Sequence, residues 1–310
     1  MARRPMRRPI ATTLALSALC CAVCGLLADQ APPARIAYST NRDGNYDIYV
    51  MNPDGGNPAS VTRTMMDSET HPTWSPDGRQ LAFEVDGAKI AIVNLDGSGR
   101  REFARGCDPA WSPDGEQIAF CDTRRGNREV HIATLRGETR RLTNTIHDEA
   151  NPCWSPDGGR LAFQRSRALG PDEVWIINAD GSEPYYLVRG GEPAWSPDGR
   201  RIAFISDEYG RPDLYTVRTD GHGLQRLTDD DWIERSPTWS PDGQAIALSR
   251  RATGMEVRFS GPHQGIVSIR PDGGARRRLT LEWRAECIDP AWGPAPAPTR
   301  NAQPGEAPDG

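Results

Sequence analysis

Short apolar runs with period-two alternation recur along the chain and predict β-strands. The most regular run is Leu or Ile, then Ala, then Phe or Leu. It occurs five times, at Leu81–Phe83, Ile118–Phe120, Leu161–Phe163, Ile202–Phe204 and Ile246–Leu248. After a polar turn comes another apolar run, such as Ile90–Ile92 or Val174–Ile176. Alternation of this kind buries one face of a pleated strand. The pattern therefore predicts consecutive antiparallel strands with no helix between them.

The five letters Trp-Ser-Pro-Asp-Gly precede these strands each time. They begin at Trp74, Trp111, Trp154, Trp195 and Trp239, and a shortened copy begins at Trp292, with spacings of 37, 43, 41, 44 and 53 residues. Pro presets a turn and Gly supplies a positive φ, so the motif turns one strand back into the next. An Asp-Gly hairpin turn and a strand ending in Leu-Thr complete most units. Four antiparallel strands in about 40 residues describe one blade of a β-propeller.

The two ends of the chain supply complementary parts of one further blade. Residues 36–62 contain strands two to four without a preceding Trp motif, whereas Asp289–Trp292 form a first strand with no later strands. We therefore predict an all-β fold, a six-bladed β-propeller of four-stranded antiparallel blades over residues 29–294, closed by N- and C-terminal strands that share one blade. Closure removes an exposed sheet edge. Residues 295–310 are rich in Pro and Ala and are expected to form a disordered tail.

Residues 1–28 differ in composition from the rest. Four Arg residues precede an almost uncharged run from Ile10 to Leu27, and Ala28 offers a small residue for cleavage. This arrangement is typical of a secretory signal peptide and predicts a periplasmic or extracellular protein. A retained membrane anchor is the alternative, because 18 residues reach the lower limit for a spanning helix. After cleavage we expect no membrane insertion and a monomer.

The charge of the chain narrows the class of partner. Cleavage after residue 28 would remove four arginines and no acidic residue, which changes the formal charge from −5 to −9. An acidic protein repels nucleic acids and anionic lipid surfaces. We therefore expect no nucleic-acid partner, and a protein or peptide partner that is neutral or basic.

The repeats resemble those of the TolB-like propeller family. The resemblance rests on Pro-Ala-Trp-Ser-Pro-Asp-Gly, the Ile-Ala-Phe triplets and the stretch Arg42–Asn52, and it covers residues 36–292. It implies a six-bladed periplasmic protein that binds an envelope protein at the mouth of its central channel. Only about eight residues separate the expected cleavage point from the first strand. We therefore expect a propeller without the N-terminal α/β domain of TolB proteins.

The residue before the motif Pro should face the channel, because the first strand of each blade lines the axis. All six of these residues are polar, and they form the predicted binding ring: His71, Asp108, Asn151, Glu192, Ser236 and Asp289. Around the ring, His71 should lie between Asp289 and Asp108, opposite Glu192. Such a ring suits a cation or a basic or amide-rich peptide. Alternatively, these strand ends are polar only because the channel is wet.

Long connections into the blades carry apolar residues on segments that should be solvated. The predicted binding residues on this loop face are Met65, Met66, Trp232 and Trp283, and Ile146 occupies a similar connection. Exposed Met and aromatic residues on one face are typical of a partner site. The alternative is that they fold inward and cap the blade ends.

Four cysteines follow residue 28, too few for a disulfide scaffold. Cys107 and Cys121 lie almost symmetrically about a predicted turn, so they could face each other as a disulfide or as two buried thiols.

Motifs of common enzyme classes are missing from the sequence: it contains no G-x-S-x-G, no H-E-x-x-H, no P-loop and no dinucleotide glycine pattern. We therefore predict an exported, non-catalytic propeller that binds a protein or peptide at the channel mouth, with no cofactor or metal. The alternative is a metal-dependent polysaccharide lyase or hydrolase that uses His71 with Asp108, Glu192 and Asp289, because similar repeats occur in oligogalacturonate lyases. One His with several carboxylates suits a hard or intermediate divalent ion.

Overall fold

A computed structural model describes residues 34–123, 126–252, 264–280 and 285–294, and all regular structure within them is β-strand. The predicted signal segment, the predicted tail, Trp283 and most of the connection 250–264 lie outside these residues. No membrane-spanning helix occurs in the part of the chain that the structure describes.

The described residues form 24 strands in six antiparallel sheets of four, which we label blades A to F. Blade A contains β1 (Ile36–Thr40), β2 (Asp47–Met51), β3 (Ala59–Ser60) and β24 (Cys287–Trp292). Blade B contains β4 (Glu69–Trp74), β5 (Gln80–Val85), β6 (Lys89–Asn94) and β7 (Arg101–Arg105). Blade C contains β8 (Cys107–Trp111), β9 (Gln117–Asp122), β10 (Glu129–Thr134) and β11 (Thr139–Arg141).

Blade D contains β12 (Asp148–Trp154), β13 (Arg160–Ser166), β14 (Glu173–Asn178) and β15 (Tyr185–Arg189). Blade E contains β16 (Gly191–Trp195), β17 (Arg201–Ser206), β18 (Asp213–Arg218) and β19 (Gln225–Arg226). Blade F contains β20 (Trp232–Trp239), β21 (Ile246–Ala252), β22 (Gln264–Ile269) and β23 (Arg277–Arg278). The prediction of six four-stranded blades is confirmed.

The ring closes in blade A, where β24 pairs antiparallel with β1. Ile36 lies opposite Trp292 and Thr40 lies opposite Cys287. The C-terminal strand thus becomes the first strand of the blade that the N-terminal strands begin. This confirms the predicted shared blade.

The apolar core lies between the blades rather than within them. Six clusters of buried residues each combine side chains from two neighbouring blades. Some motif Trp residues also donate hydrogen bonds across these boundaries: Trp74 Nε1 donates to the Ala291 carbonyl at 3.0 Å, and Trp154 Nε1 donates to the Ala110 carbonyl at 3.1 Å. In both cases the carbonyl belongs to the first strand of the preceding blade. The Trp therefore joins adjacent blades.

The other four motif letters build a turn that also contacts its neighbour. In blade B, Ser75 Oγ donates to Asp77 Oδ1 at 2.6 Å and accepts the Gln80 backbone N–H at 2.9 Å. Gly115 of the next turn has a φ of 77°, and a Cβ built there would lie 3.2 Å from Pro76. The same Gly-on-Pro contact recurs at the other motif turns. The turn chemistry and this contact together explain why all five letters repeat.

The connections between blades are of two kinds, short and long, and the connection 279–286 into blade A is one of the long ones. Single glycines, Gly106 and Gly190, link blade B to C and blade D to E. Longer loops precede blades B, D and F, and we call them the A–B loop (61–68), the C–D loop (142–147) and the E–F loop (227–231). The first strands that follow these loops begin earlier than the sequence predicted. Trp232, expected on a loop, therefore lies in β20.

Candidate binding site in the central channel

The six predicted ring residues share one unusual backbone conformation. All have a φ between 50° and 52°, in the left-handed region that residues other than Gly seldom occupy. In each blade the pairing of the first strand with the second shifts register at this point. Such a bulge re-aims a side chain. Here the six side chains line the channel.

The ring divides the channel into two connected cavities. A cavity of about 130 Å³ is lined by the ring residues and the prolines that follow them, on the side of the Trp-Ser-Pro-Asp-Gly turns. A larger cavity of about 450 Å³, which we call the vestibule, lies on the side of the loops that connect the blades. Its lining adds Glu84, Arg128 and Arg235 to the ring residues. The vestibule is therefore the more charged of the two.

Two second-strand residues that the sequence analysis missed hold ring residues of the next blade. Glu84 Oε2 accepts the backbone N–H of Asp108 at 3.1 Å. Gln164 Oε1 accepts the backbone N–H of Glu192 at 3.1 Å and the side-chain amide of Asn151 at 3.2 Å. Both residues directly follow a Leu-Ala-Phe triplet. A polar residue at that buried position was the available signal.

Neighbouring ring residues also hold each other. Asp108 Oδ2 accepts the Asn151 backbone N–H at 3.4 Å, and Glu192 Oε2 accepts that of Ser236 at 2.6 Å. Ser236 Oγ donates to Asp289 Oδ1 at 2.9 Å. The carboxylates are therefore oriented before any ligand arrives.

Two arginines at the vestibule neutralise part of its negative charge. Arg128 Nη1 lies 3.6 Å from Asp108 Oδ2, and Arg235 Nη1 lies 3.4 Å from Glu192 Oε1. Glu84 and Asp289 have no arginine among these pairs and both face His71. Four carboxyl groups thus share the vestibule with two guanidinium groups and one imidazole.

His71 carries the third positive charge of the vestibule. Its Nδ1 lies 3.8 Å from Glu84 Oε2 and 3.8 Å from Asp289 Oδ2. Burial alone would lower the pKa of His71, but the carboxylates of Asp289, Asp108 and Glu84 outweigh burial and raise the pKa to about 9. Burial also raises the pKa of the Glu84 carboxyl. Burial likewise raises the pKa of the Glu192 carboxyl. Counted formally, with every group charged, four carboxylates face three cations in the vestibule.

One group in the vestibule has the composition of a metal site. Ligand atoms of His71, Glu84 and Asp108 all lie within 4.8 Å of one another. The sequence had grouped His71 with Asp108, Glu192 and Asp289. The structure brings Glu84 into the set, while Glu192 lies across the ring.

Exposed apolar residues lie on loops and turns at the end of the blades where the vestibule lies. Met65 is 96% exposed and Met66 is 89% exposed on the A–B loop, and Ile146 is 90% exposed on the C–D loop. Leu169 and Tyr209, which the sequence analysis missed, are exposed on turns between the second and third strands of blades D and E. We call these five residues the rim.

Trp232 and Trp283 were the other two residues predicted for the loop face. Trp232 is partly buried, and the Arg250 guanidinium lies 4.6 Å from its ring centroid. Trp283 lies outside the described residues.

Cys107 and Cys121 face each other across β8 and β9, as predicted. Both are free, buried thiols, and Cys107 Sγ lies 3.7 Å from the Cys121 carbonyl. Burial raises the pKa of Cys107 to about 12.

Six four-stranded blades around a polar channel place the protein among the β-propellers. Within that class, it belongs to the family of the TolB beta propeller domain, whose family model matches residues 89–294, more than half of the chain.

Known relatives agree with this assignment. The Tol-Pal system protein TolB of Thioalkalivibrio sulfidiphilus (strain HL-EbGR7) is 36% identical over 77 residues, 23% of this chain. That match spans only 18% of the relative's own length. TolB from Acinetobacter baumannii superposes with a TM-score of 0.72 at 22% identity, over 88% of this chain and 70% of that one. Putative TolB from Agrobacterium tumefaciens superposes with a TM-score of 0.66 at 21% identity, over 85% and 100%.

A solved enzyme shares the fold at lower similarity. An oligogalacturonate lyase in complex with manganese superposes with a TM-score of 0.56 at 15% identity, over 78% of this chain and 72% of that one. At this identity the likeness concerns the fold alone.

Proposed function

We propose that the protein is an exported, non-catalytic propeller that binds a protein or peptide at the vestibule and the rim. The observation that carries this proposal is an acidic cavity that lies on the same side of the ring as exposed apolar side chains of the loops and turns. Met and aromatic residues are enriched in protein interfaces, whereas isolated channels do not need them. Membership of the TolB propeller family supports the proposal, since the curated relative is named as part of a Tol-Pal system.

The charge of the vestibule indicates the chemistry of the partner. Three of its carboxyl groups accept backbone N–H donors, and the fourth, Asp289, accepts the Ser236 hydroxyl. Because four carboxyl groups formally exceed three cations, a Lys, an Arg or an amino terminus is the complementary group. A cavity of about 450 Å³ admits one or two such side chains. Apolar residues beside that basic group would cover the rim. Charge complementarity mainly accelerates encounter and selects the partner, while apolar contacts hold it.

Affinity capture from an envelope extract tests the proposal, with three variants compared to the wild type. Glu192→Gln removes one vestibule charge, Met65→Ser with Met66→Ser makes the rim polar, and Glu138→Gln changes an exposed carboxyl on the opposite hairpin. We expect one protein to be retained by the wild type and by Glu138→Gln, and to be lost from the other two. Equal retention by all four proteins would contradict this site.

A second function is favoured by the His71, Glu84 and Asp108 group. One imidazole and two carboxylates suit a divalent ion such as Mn²⁺, and the lyase that shares the fold is a manganese complex. Such an ion would supply Lewis-acid stabilisation of a developing negative charge on a bound acidic glycan. His71 would have to lose its proton first, and Asp108 already faces Arg128. These requirements make the binding proposal the stronger one.

Calorimetric titration with MnCl₂ at pH 7 and pH 9 tests the metal hypothesis, with Glu84→Gln as the site variant. The hypothesis expects binding that strengthens at pH 9 and is lost in the variant, together with cleavage of acidic polysaccharides. No heat of binding and no cleavage at either pH would remove it.

A further inference from the structure

Buried carboxyl pairs lie at the bases of the A–B, C–D and E–F loops. Each pair joins an acid at the start of a third strand to a Glu on the first strand of the next blade. The pairs are Asp47 with Glu69, Glu129 with Glu149, and Asp213 with Glu234, and every member is 0 or 1% exposed. The pairs therefore recur at alternate blade boundaries, A–B, C–D and E–F. Carboxyl groups this deeply buried are rare unless an ion pair or hydrogen bonds compensate for the lost hydration.

At the C–D boundary the two carboxyl groups hold the loop that carries Ile146. Glu129 accepts the Thr145 backbone N–H at 2.9 Å and the Thr143 hydroxyl at 2.6 Å. The Thr145 hydroxyl in turn donates to Glu149 Oε1 at 2.8 Å. Glu149 Oε2 is buried and has no hydrogen-bond donor among the described residues. A carboxylate oxygen left without a donor favours the neutral form of that group.

At the E–F boundary the buried glutamate has even fewer hydrogen-bond donors. Neither carboxyl oxygen of Glu234 forms a hydrogen bond within the described residues. Arg250 Nε lies 3.2 Å from Glu234 Oε1, in a geometry that makes no hydrogen bond. The same guanidinium pairs with Asp230 and lies over the Trp232 ring. Arg250 therefore compensates Glu234 only in part.

The charged groups around these two glutamates come from every neighbouring element. Those facing Glu149 or its partner are Glu129 of β10, Arg141 of β11 and Arg165 of β13. Those facing Glu234 are Asp213, Asp230, Arg250 and Arg276. Burial raises the pKa of Glu149 to about 7. The Thr145 hydroxyl and the Arg165 guanidinium, whose Nε donates to Glu149 Oε1 at 2.9 Å, oppose this shift, whereas Glu129 adds to it. Burial raises the pKa of Glu234 to about 8, since Arg250 offsets only part of the cost.

We propose that Glu149 and Glu234 are proton-dependent anchors of the C–D and E–F loops. In the neutral form Glu149 accepts the Thr145 hydroxyl of the C–D loop, and Glu234 leaves the Arg250 guanidinium paired with Asp230 of the E–F loop. Ionisation places a charge in a buried site, so each loop opens more often. The partner then binds Ile146 of the rim more weakly. The effect on the partner rests on the proposed function, whereas the effect on the loops does not.

Thermodynamic linkage between proton binding and loop opening predicts how the frequency of opening depends on pH. An exposed glutamate in the open loop has a pKa near 4.5, below that of the closed loop. Between the two pKa values, opening should become about tenfold more frequent per pH unit, and above the closed-loop pKa it should level off. Levelling should therefore occur near pH 7 for the C–D loop and near pH 8 for the E–F loop.

Hydrogen exchange followed by mass spectrometry on the whole protein, from pH 5 to pH 9 and corrected for intrinsic exchange, measures this opening. Glu149→Gln should remove the pH dependence in residues 142–147 and leave it in residues 227–231. Glu234→Gln should do the reverse, and Glu138→Gln should change neither. The proposal would be overturned if the corrected protection from exchange did not change with pH in the wild type. It would also be overturned if the pH dependence of a loop persisted in the Gln variant of its own glutamate.

Binding of the captured partner at pH 6 and pH 8.5 is the second measurement. We expect weaker binding at pH 8.5 for the wild type, and a smaller difference for the double variant Glu149→Gln with Glu234→Gln. A flat exchange profile overturns the anchors whatever the partner does. Failure to capture a partner leaves the exchange result in force and counts against the proposed function.

Discussion

Replacing His71 by Gln is the most direct way to test the charge balance of the vestibule. His71 lies on β4 with its Nδ1 3.8 Å from Glu84 Oε2 and from Asp289 Oδ2. Its nearest hydrogen-bond partner is the Thr70 hydroxyl, at 3.2 Å. Gln keeps a polar side chain in the channel and removes the cation. The change should therefore act through charge rather than through lost packing.

The size of the effect follows from the pKa of His71. A rise from 6.5 to about 9 corresponds to ~3 kcal/mol of stabilisation of the protonated form. Because 39% of the side chain is accessible to solvent, screening reduces this figure, and we expect about 1 kcal/mol. The folded-state pKa exceeds the unfolded value. The stabilisation is therefore complete below pH 6.5 and is lost as the pH rises through about 9.

Urea unfolding followed by tryptophan fluorescence measures this difference at pH 6, 7.5 and 9.5. The wild type should exceed His71→Gln by about 1 kcal/mol at pH 6 and by little at pH 9.5. Contributions shared by both proteins, including Glu149 and Glu234, cancel in the difference. His222→Gln, an exposed hairpin substitution, is the matched control. A difference that does not vary with pH would refute the argument that vestibule carboxylates hold His71 in its charged form.

Three further predictions concern the fold. Gly190→Ala should lower the free energy of unfolding by more than ~3 kcal/mol, because φ is 144° and a Cβ would lie 2.6 Å from a backbone carbonyl. Gly137→Ala, where φ is 95° and the space around the Cβ is open, should lower it by about 1 kcal/mol in the same urea assay. Equal decreases for the two variants would contradict this prediction. A Ser hydroxyl lowers the pKa of Asp157, so its stabilising contribution is present above pH 4 and is lost as the pH falls further; acid unfolding of Asp157→Asn should show a shallower slope there. Cys107 and Cys121 should react with a thiol reagent at pH 8 only after unfolding, because burial raises the pKa of both thiols. Modification of the native protein would contradict their burial.

The fold was predictable because local chemistry determines it in each repeat. Ser75, Asp77 and Gly78 specify a turn by hydrogen bonds and a positive φ within six residues, and the alternating strands specify which face is buried. No long-range information is needed to identify such a unit. Counting the units then gave the number of blades, and the incomplete units at the two ends gave the closure.

Only some residues of the site could be predicted from the sequence, and the reason is physical. The ring residues occupy one position in the repeat, so they could be found by register. Glu84 and Gln164 act on the next blade, about 25 residues away in sequence. Their reach depends on the bulge that turns each ring residue to a φ near 50°, and the sequence gives no local sign of it, since no ring residue is Gly.

Strand ends were the least predictable feature because pairing, not propensity, sets them. Trp232 begins β20 since it lies opposite Ala252 at the far end of the long strand β21. The sequence between Thr228 and Arg235 is polar enough to suggest a loop throughout. The partner strand extends the ladder, and it thereby removes Trp232 from the loop surface.

The short and the long connections between blades have different contacts beneath them. At boundaries B–C and D–E, single glycines link the blades, and Glu84 and Gln164 reach across to fix ring residues in the channel. At A–B and C–D, longer loops carry Met65, Met66 and Ile146, and buried carboxyl pairs lie at the bases of these loops and of the E–F loop. Changes at Glu149 should therefore alter the rim and leave the vestibule hydrogen bonds in place, while changes at Glu84 should do the opposite. A partner that contacts both the rim and the vestibule would depend on two sets of residues that can vary independently. Affinity, through the rim, and charge selectivity, through the vestibule, could then change separately in the same propeller.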